Sequence, residues 1–525
     1  MIKNQDDKWN ETRICFQVIS KLIAIFLAAF TMIRRVFSTF IDYHSPITQS
    51  DFFQPSTFGI HRIKEEHWPI DNFSFLLNFS PCFPVNSTNV RIINEPIDFY
   101  KSILENASKA KYRISLASLY LGIGKMESDL VDAIKNNMSE NDKLKVNILL
   151  DFTRGTRGKI NSKLMLMPLI KQSTNCTVSL YHTPLLRGIT KKIIPARWNE
   201  LVGLQHMKIY LFDDSVIISG ANLSNDYFTN RQDRYVEIND QKLSNFFAEI
   251  LEKVHAFSLK VQMNGECTLH DNWKFIPYES NYKDFVNEAR KSIQSVFKKA
   301  YDEQINNDLM KNDADTWLFP TLEMGQLNIH HDSLVTKKIL SEAKVGSSLK
   351  MATGYFNLTQ TYMDSLVNEC KADCSIIMAH PNANGFKGSK FPSSGIPDAY
   401  SLLAKKFYKQ IKEQKQQKRI SLLEYEREKW TYHAKGLWYH SNINNHQSEW
   451  PCMTIIGSSN YGERSVNRDL EAQVCIITKS KELQQSLKNE YDHILNYASK
   501  AENQLITRVI PNWVKTVVLL FKKYF

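Results

Sequence analysis

Apolar positions along the chain keep to two rhythms. Short consecutive runs, such as RISLASLYLG (Arg113–Gly122) and LKVNILLDF (Leu144–Phe152), have the length and content of buried strands. Between them, ESDLVDAIKNN (Glu127–Asn137) spaces its apolar residues along one face of a helix. The order then recurs. LKMATGYFNL (Leu349–Leu358), the helical TYMDSLVNEC (Thr361–Cys370) and the strand-like CSIIMAHP (Cys374–Pro381) follow the same succession. Strands alternating with helices predict an α/β fold with a largely buried sheet. The recurrence predicts an internal duplication: two α/β halves with mixed sheets flanked by helices, and a site where the halves meet. The expected divisions are 1–90 (targeting or membrane-proximal), 91–265 and 266–505 (the halves), and 506–525 (an amphipathic tail). The boundary is placed near Asn264–Ile276, after a helical stretch over Lys242–Val261.

The ends depart from this pattern. Ile14–Ile33 is apolar with one Lys inside, and its unbroken part, Leu22–Ile33, is short for a bilayer span. From Met32 the chain reads MIRRVFSTF, with two Arg, hydroxyl residues and no acid until Asp42, which looks like the start of a mitochondrial transit peptide. Asp6, Asp7 and Glu11 do not fit one, and a start at Met32 would remove the conflict. At the other end, Trp513–Phe525 has aromatic ends, an apolar middle and Lys522-Lys523. That suits either an interfacial membrane helix or a helix packed on the domain.

Composition narrows the picture. A chain of 525 residues with 43% hydrophobic content has material for two domains or one double-sized one and is not disordered. The net charge of +11 suggests an anionic partner. The cations are spread without a long basic tail, which argues against nucleic acid. Eight cysteines lie far apart except Cys370 and Cys374, a pattern that supports neither a zinc site nor a disulfide framework. Ala117–Gly122 begins like a nucleotide-binding loop but lacks its Lys and Ser/Thr, so no ATP site is expected.

The chemistry lies in the duplicated part. HMKIYLFD carries His206, Lys208 and Asp213, and is followed by VIISGANLS and RQDRYVEI. YHAKGLWYH carries His433 and Lys435, and is followed by MTIIGSSN and NRDLEAQV. On a strand, His-x-Lys puts both side chains on one face. A single copy is a weak signal; two copies in the same context are not. Two imidazoles suit phosphodiester transfer, one as nucleophile and one as general acid and base. Two lysines and two amides can hold the non-bridging oxygens, so that no metal or other cofactor is required. A carboxylate on the far nitrogen of each His would fix its tautomer, and Glu237 and Glu471 are the candidates.

HMKIYLFD with GANLSNDYFTNRQDRY, RISLASLYLG, DFTRGTRG, TYHAKGLW and IIGSSNYGERS resembles the phospholipase D superfamily. Within it, the sequence is similar to the eukaryotic mitochondrial CDP-diacylglycerol–glycerol-3-phosphate phosphatidyltransferases, from about Ile92 to Tyr497. The resemblance implies a duplicated phospholipase D-like fold. It implies CDP-diacylglycerol and glycerol-3-phosphate as substrates, phosphatidylglycerophosphate and CMP as products, and a place peripheral on the anionic surface of the mitochondrial inner membrane. It makes His206, Lys208, Asp213, His433 and Lys435 catalytic, with Asn222, Ser458 and Asn460 supporting them. His206 is taken as nucleophile and His433 as acid and base, with the reverse assignment open. Two departures stand out: His440 occupies the place of the second Asp, and Ser219-Gly220-Ala221-Asn222 replaces a Gly-Ser-x-Asn turn, so one hydroxyl contact is missing or supplied elsewhere.

Arg154 and Arg157 are candidate phosphate contacts, and Arg187, Lys191, Lys192 and Arg197 are weaker ones. Asn382–Gly395 is Gly/Ser-rich and reads as a lid or a connector. The alternatives are another superfamily phosphodiesterase with water as acceptor, or a non-catalytic scaffold on anionic membranes.

Overall fold

The computed structural model describes residues 71–193, 199–305, 313–443 and 446–521. The possible transit segment, Arg197 and Lys522-Lys523 lie outside them. In the first half the core strands are β1 (Arg113–Ala117), β2 (Lys145–Asp151), β3 (Cys176–Tyr181), β4 (Ile209–Phe212), β5 (Ser215–Ser219) and β6 (Tyr235–Asn239). Helix α1 (Lys125–Glu140) joins β1 to β2, α2 (Ser162–Gln172) joins β2 to β3, and α3 (Asn225–Thr229) lies between β5 and β6. In the second half they are β7 (Ser348–Thr353), β8 (Asp373–Ala379), β9 (Ile420–Tyr425), β10 (Lys435–His440), β11 (Met453–Gly457) and β12 (Leu470–Thr478). There α4 (Ile396–Glu413) joins β8 to β9, and α5 (Glu463–Asn467) lies between β11 and β12. Two C-terminal helices follow, α6 (Glu502–Thr507) and α7 (Asn512–Phe521).

Both sheets run in the same spatial order, β3-β2-β1-β4-β5-β6 and β9-β8-β7-β10-β11-β12. In each, the first three strands are parallel and the last three antiparallel. Parallel strands joined by helices are covered on both faces, which accounts for their unbroken apolar runs. Helix α1 shows the matching logic, burying Leu130, Val131, Ile134 and Met138.

The halves share one core. Val216, Val236 and Ile238 of the first sheet pack with Leu318, Leu322, Ile456 and Val474 of the second. Across this seam Arg234 is buried. Its guanidinium donates to both oxygens of Glu490 at 2.9 and 2.8 Å, to Thr454 Oγ1 at 2.7 Å and to the Ile455 carbonyl at 2.9 Å, and it stacks on Trp438. Gly436 makes room for it: at φ 122° it lies beneath Arg234 Nη1 and the Ile455 carbonyl, where a Cβ would collide with both.

The boundaries differ from the sequence expectation at two places. Phe83–Val85 pairs with Thr316–Met324 of the second sheet, and Phe73, Leu76 and Leu77 enter that half's core, so 71–85 belongs with the second half. Lys242–Val261 is helical only to Ala256; Leu259–Val261 then turns into a strand that extends the first sheet beside β3. The C-terminal helix α7 packs on the second half through Val514 and Val518. Among the described residues no helix is long and apolar enough to cross a membrane, and the cysteines are free.

Candidate active site

His206 and His433 sit just before β4 and β10, at the end of each sheet where the parallel strands finish. Each is delivered there by a short bridge to the other half. The His206 N–H donates to the Leu470 carbonyl at 2.9 Å, and the His433 N–H donates to the Gln232 carbonyl at 2.8 Å. The next residue after each carbonyl is a buried carboxylate. Glu471 takes His206 Nδ1 at 2.9 and 3.0 Å, and Asp233 takes His433 Nδ1 at 2.6 Å. Both of these histidines are therefore oriented by a carboxylate of the opposite half, and Lys435 Nζ also lies 2.8 Å from His433 Nδ1 and 3.4 Å from its Nε2.

Both lysines fold back over the same loops. Lys208 Nζ donates to the His206 carbonyl and Lys435 Nζ to the His433 carbonyl, each at 2.7 Å. Lys435 also lies 3.7 Å from Asp233. Burial, and next the neighbouring lysine, push both imidazoles far below their usual range. Lys435 also acts on His206, and Lys208 on His433, so the four groups converge. Burial raises Glu471 to about 7 against the pull of Lys208, and raises Asp233 to about 6 against the pull of Lys435. For both imidazoles and both carboxylates the leading cause is burial, which disfavours the charged form.

The two sides are not identical. Glu471 is held by Ser465, which donates at 2.6 Å, and Ser458 bonds the Ala472 amide beside it. In the first half Gly220 stands in place of Ser458. A Cβ there would lie 2.5 Å from Asp233 and 2.8 Å from Lys435 Nζ, so the lysine occupies the space of the missing hydroxyl. Tyr227 stands in place of Ser465, and its hydroxyl lies 3.3 Å from His433 Nε2. Around the opening are Arg231, Tyr355, whose ring is 5.5 Å from that of His433, and Arg464, bonded to Asp469. Asn222 and Asn460 each keep a buried side-chain oxygen without a protein partner among the described residues. His206, Asp469 and Glu471 have donor atoms within 4.8 Å, a spacing a cation could use. Those of Glu471 are already engaged by His206 and Ser465, and Asp469 by Arg464 and the Leu204 amide.

A family model described as "Cardiolipin synthase, PLD-like domain" matches residues 103–255 and 336–495, one stretch in each half. The chain belongs to this phospholipase D-like family. The human mitochondrial CDP-diacylglycerol–glycerol-3-phosphate 3-phosphatidyltransferase is 40% identical over 497 residues, covering 89% of this chain and 86% of the relative. The Saccharomyces cerevisiae CDP-diacylglycerol–glycerol-3-phosphate 3-phosphatidyltransferase is 36% identical, covering 80% and 84%. Among solved structures, phosphatidylserine synthase from Haemophilus influenzae matches with TM-score 0.62 at 18% identity, over 84% of this chain and 94% of that one. It supports the phospholipase D-like fold.

Within that fold two expected site residues move out. Asp213 lies at the far end of β4, and its carboxylate accepts the amides of Lys111, Tyr112 and Arg113 at 2.7, 2.7 and 3.0 Å. Seven residues along a strand place it roughly 20 Å from His206. It fastens the start of β1 and does not reach the histidines. His440 ends β10 in the same way and meets the Ser448 carbonyl at 3.1 Å, so its replacement of Asp leaves the site intact. Glu237 is the second correction. It accepts from Asn106 at 2.7 Å, Arg91 and Ser215 at the outer edge of β6, while Asp233 does the task expected of it. The missed signal was spacing: Asp233 and Glu471 each lie 11 residues after the turn asparagine, Asn222 or Asn460, whereas Glu237 lies 15 after.

Arg154 and Arg157 sit beside the opening, both paired with Glu200, and Arg154 stacks on Tyr120. The helix that carries Arg154 is capped by Asp151, whose other oxygen accepts the Gln205 amide next to His206. Lys191 stacks on Tyr278, and Arg187 donates to the Glu279 carbonyl, away from the histidines.

Proposed function

We propose that the chain moves the phosphatidyl group of CDP-diacylglycerol to glycerol-3-phosphate in mitochondria, through a phosphohistidine. The observation that carries this is the crossed pairing His206–Glu471 and His433–Asp233. Each carboxylate takes an Nδ1–H and leaves Nε2 for the reaction, as a lone pair on His206 and as the proton carrier on His433. His206 Nε2 attacks the phosphorus bearing the diacylglycerol, and the bond from that phosphorus to the CMP oxygen breaks. His433 enters with a proton on Nε2 as well, its charge offset by Asp233, and gives that proton to the departing CMP oxygen. The glycerol-3-phosphate hydroxyl then attacks, its proton passes to His433, and the N–P bond breaks. Lys208, Lys435, Asn222 and Asn460 line the place where non-bridging oxygens gather charge. Ser458 braces the strand under Glu471. The Tyr227 hydroxyl beside His433 Nε2 suits the histidine that handles the proton, which favours His206 as nucleophile. Arg154 and Arg157 suit the anionic end of a substrate, exchanging Glu200 for phosphate. The lipid substrate places the enzyme at an anionic membrane surface.

The test supplies CDP-diacylglycerol and labelled glycerol-3-phosphate to purified protein. Label entering lipid with wild type and not with His206→Ala is the expected result. CMP release without labelled lipid would make the chain a hydrolase and contradict the reading.

A further inference from the structure

Both histidines lie at the ends of the sheets where the parallel strands finish, and the loops that leave those ends share an unusual composition. After β2 the chain runs through 153–164 into α2; after β8 it runs through 380–395 into α4. These are equivalent positions in the two sheets. The first loop carries Lys159 beside Arg154 and Arg157, which pair with Glu200, and the second carries Lys387 and Lys390; neither contains an Asp or Glu. Each also exposes a large apolar side chain near its tip, Ile160 at 69% and Phe391 at 68%.

The C-terminal helices extend the second loop. Trp513 of α7 packs its ring 5.2 Å from that of Phe391 and lies against Gly395, and Lys405 of α4 bonds the Ile506 carbonyl. Val514 and Val518 anchor α7, while Val509 and Leu519 stand 88% and 76% exposed. The stretch 505–519 has Lys515 and again no acid, while Arg508 within it turns inward to pair with Glu424. These loops are continuous with the site. A Cβ on Gly385 would be 3.3 Å from Arg231 and 3.7 Å from the Tyr355 hydroxyl, and Phe386 packs on Tyr355, the ring beside His433.

Single exposed apolar residues are ordinary on a protein surface. Here they recur at related loop tips, beside lysines, without acids, around one opening. A single-stranded nucleic acid would call for exposed aromatic rings among the cations, whereas Ile160, Val509 and Leu519 are aliphatic. Apolar side chains with cations between them fit the headgroup boundary of a bilayer that carries negative charge. We propose that loops 153–164 and 380–395, with segment 505–519, seat on an anionic phospholipid bilayer and bring its lipid to the opening between His206 and His433. This rests on the lipid-substrate reading and assigns the surface that serves it.

The test is flotation of the full chain with vesicles of phosphatidylcholine alone, or with about one-third phosphatidylglycerol. Wild type should float with the anionic vesicles, less so at high salt. Reversing Lys159, Lys387 and Lys390 to Glu should weaken this by about fivefold per residue at low salt. The double variant Ile160→Asp/Phe391→Asp should lower partition about tenfold or more at any salt. Both variants should still turn over a short-chain, water-soluble CDP-diacylglycerol at the wild-type rate, which shows that they fold. Unchanged flotation of both variants overturns the proposal. So does unchanged flotation with lost self-association in sedimentation, which would place the face between copies of the chain. If wild type turns over no CDP-diacylglycerol, circular dichroism replaces the turnover control. Flotation that still responds to the substitutions would then keep the surface and remove the lipid-transfer reading.

Discussion

Asp233 and Glu471 differ from every other carboxylate near the opening in what they hold: each fixes the Nδ1 of a histidine from the other half. Removing that charge while keeping the shape should expose the role. Asp233→Asn and Glu471→Gln should each lower kcat by about a thousandfold with the fold retained, because the amide favours the wrong tautomer. Glu237→Gln and Asp213→Asn should keep kcat within a fewfold and lower Tm instead, since their partners are the edge of β6 and the start of β1. Equal losses of kcat in all four would contradict the assignment. The pH profile follows from the same groups. The carboxylates accept Nδ1–H only when ionised, and burial puts them at about 6 and about 7. Activity should therefore rise as pH rises through that window. Burial holds His206 far lower, so its Nε2 stays free to attack across that window. Burial also lowers both lysines, so the alkaline fall should begin below the ordinary lysine range. At Tyr227, Phe should leave the fold unchanged and alter kcat more than KM, with a shifted profile; an unaltered profile would reduce Tyr227 to packing. Of this site, His206, Lys208, His433, Lys435 and Glu471 were legible from the motifs, because spacing on a strand fixes which side chains share a face. Asp233 was not, because Glu237 was chosen over the residue whose spacing from the turn asparagine matches that of Glu471. Tyr227 was not, because its partner His433 comes from the other half, and Asp213 was misread because a linear motif hides the length of the strand inside it.

Elements carry the duplication. The recurring strand, helix, strand order was readable since buried parallel strands are apolar throughout and α1 shows helical spacing. The strand order in space was not, and neither was the use of Phe83–Val85 by the second sheet, a pairing across more than two hundred residues. The β6 strand is tied to the second half mainly through Arg234, which is buried with Glu490. Arg234→Ala leaves Glu490 unpaired and should cost about 3–5 kcal/mol, read as a lower midpoint in denaturant. Because β6 begins just after Asp233, the same variant should also lower kcat in the fraction that stays folded. A midpoint unchanged from wild type would mean that the seam is held by its apolar contacts alone.

At the scale of the molecule, two halves of one sheet order build one opening that neither completes alone. The net charge of +11 then acquires a location, with acid-free basic loops framing that opening. What most directly tests the whole account is capture of the intermediate. Wild type and His433→Ala would be mixed with CDP-diacylglycerol labelled at the phosphatidyl phosphorus, without glycerol-3-phosphate, quenched in alkali and mapped by mass spectrometry. The account predicts label on His206, discharged to lipid product when glycerol-3-phosphate is added. Label on His433 would exchange the two roles, and turnover with no labelled histidine would contradict transfer through a phosphohistidine.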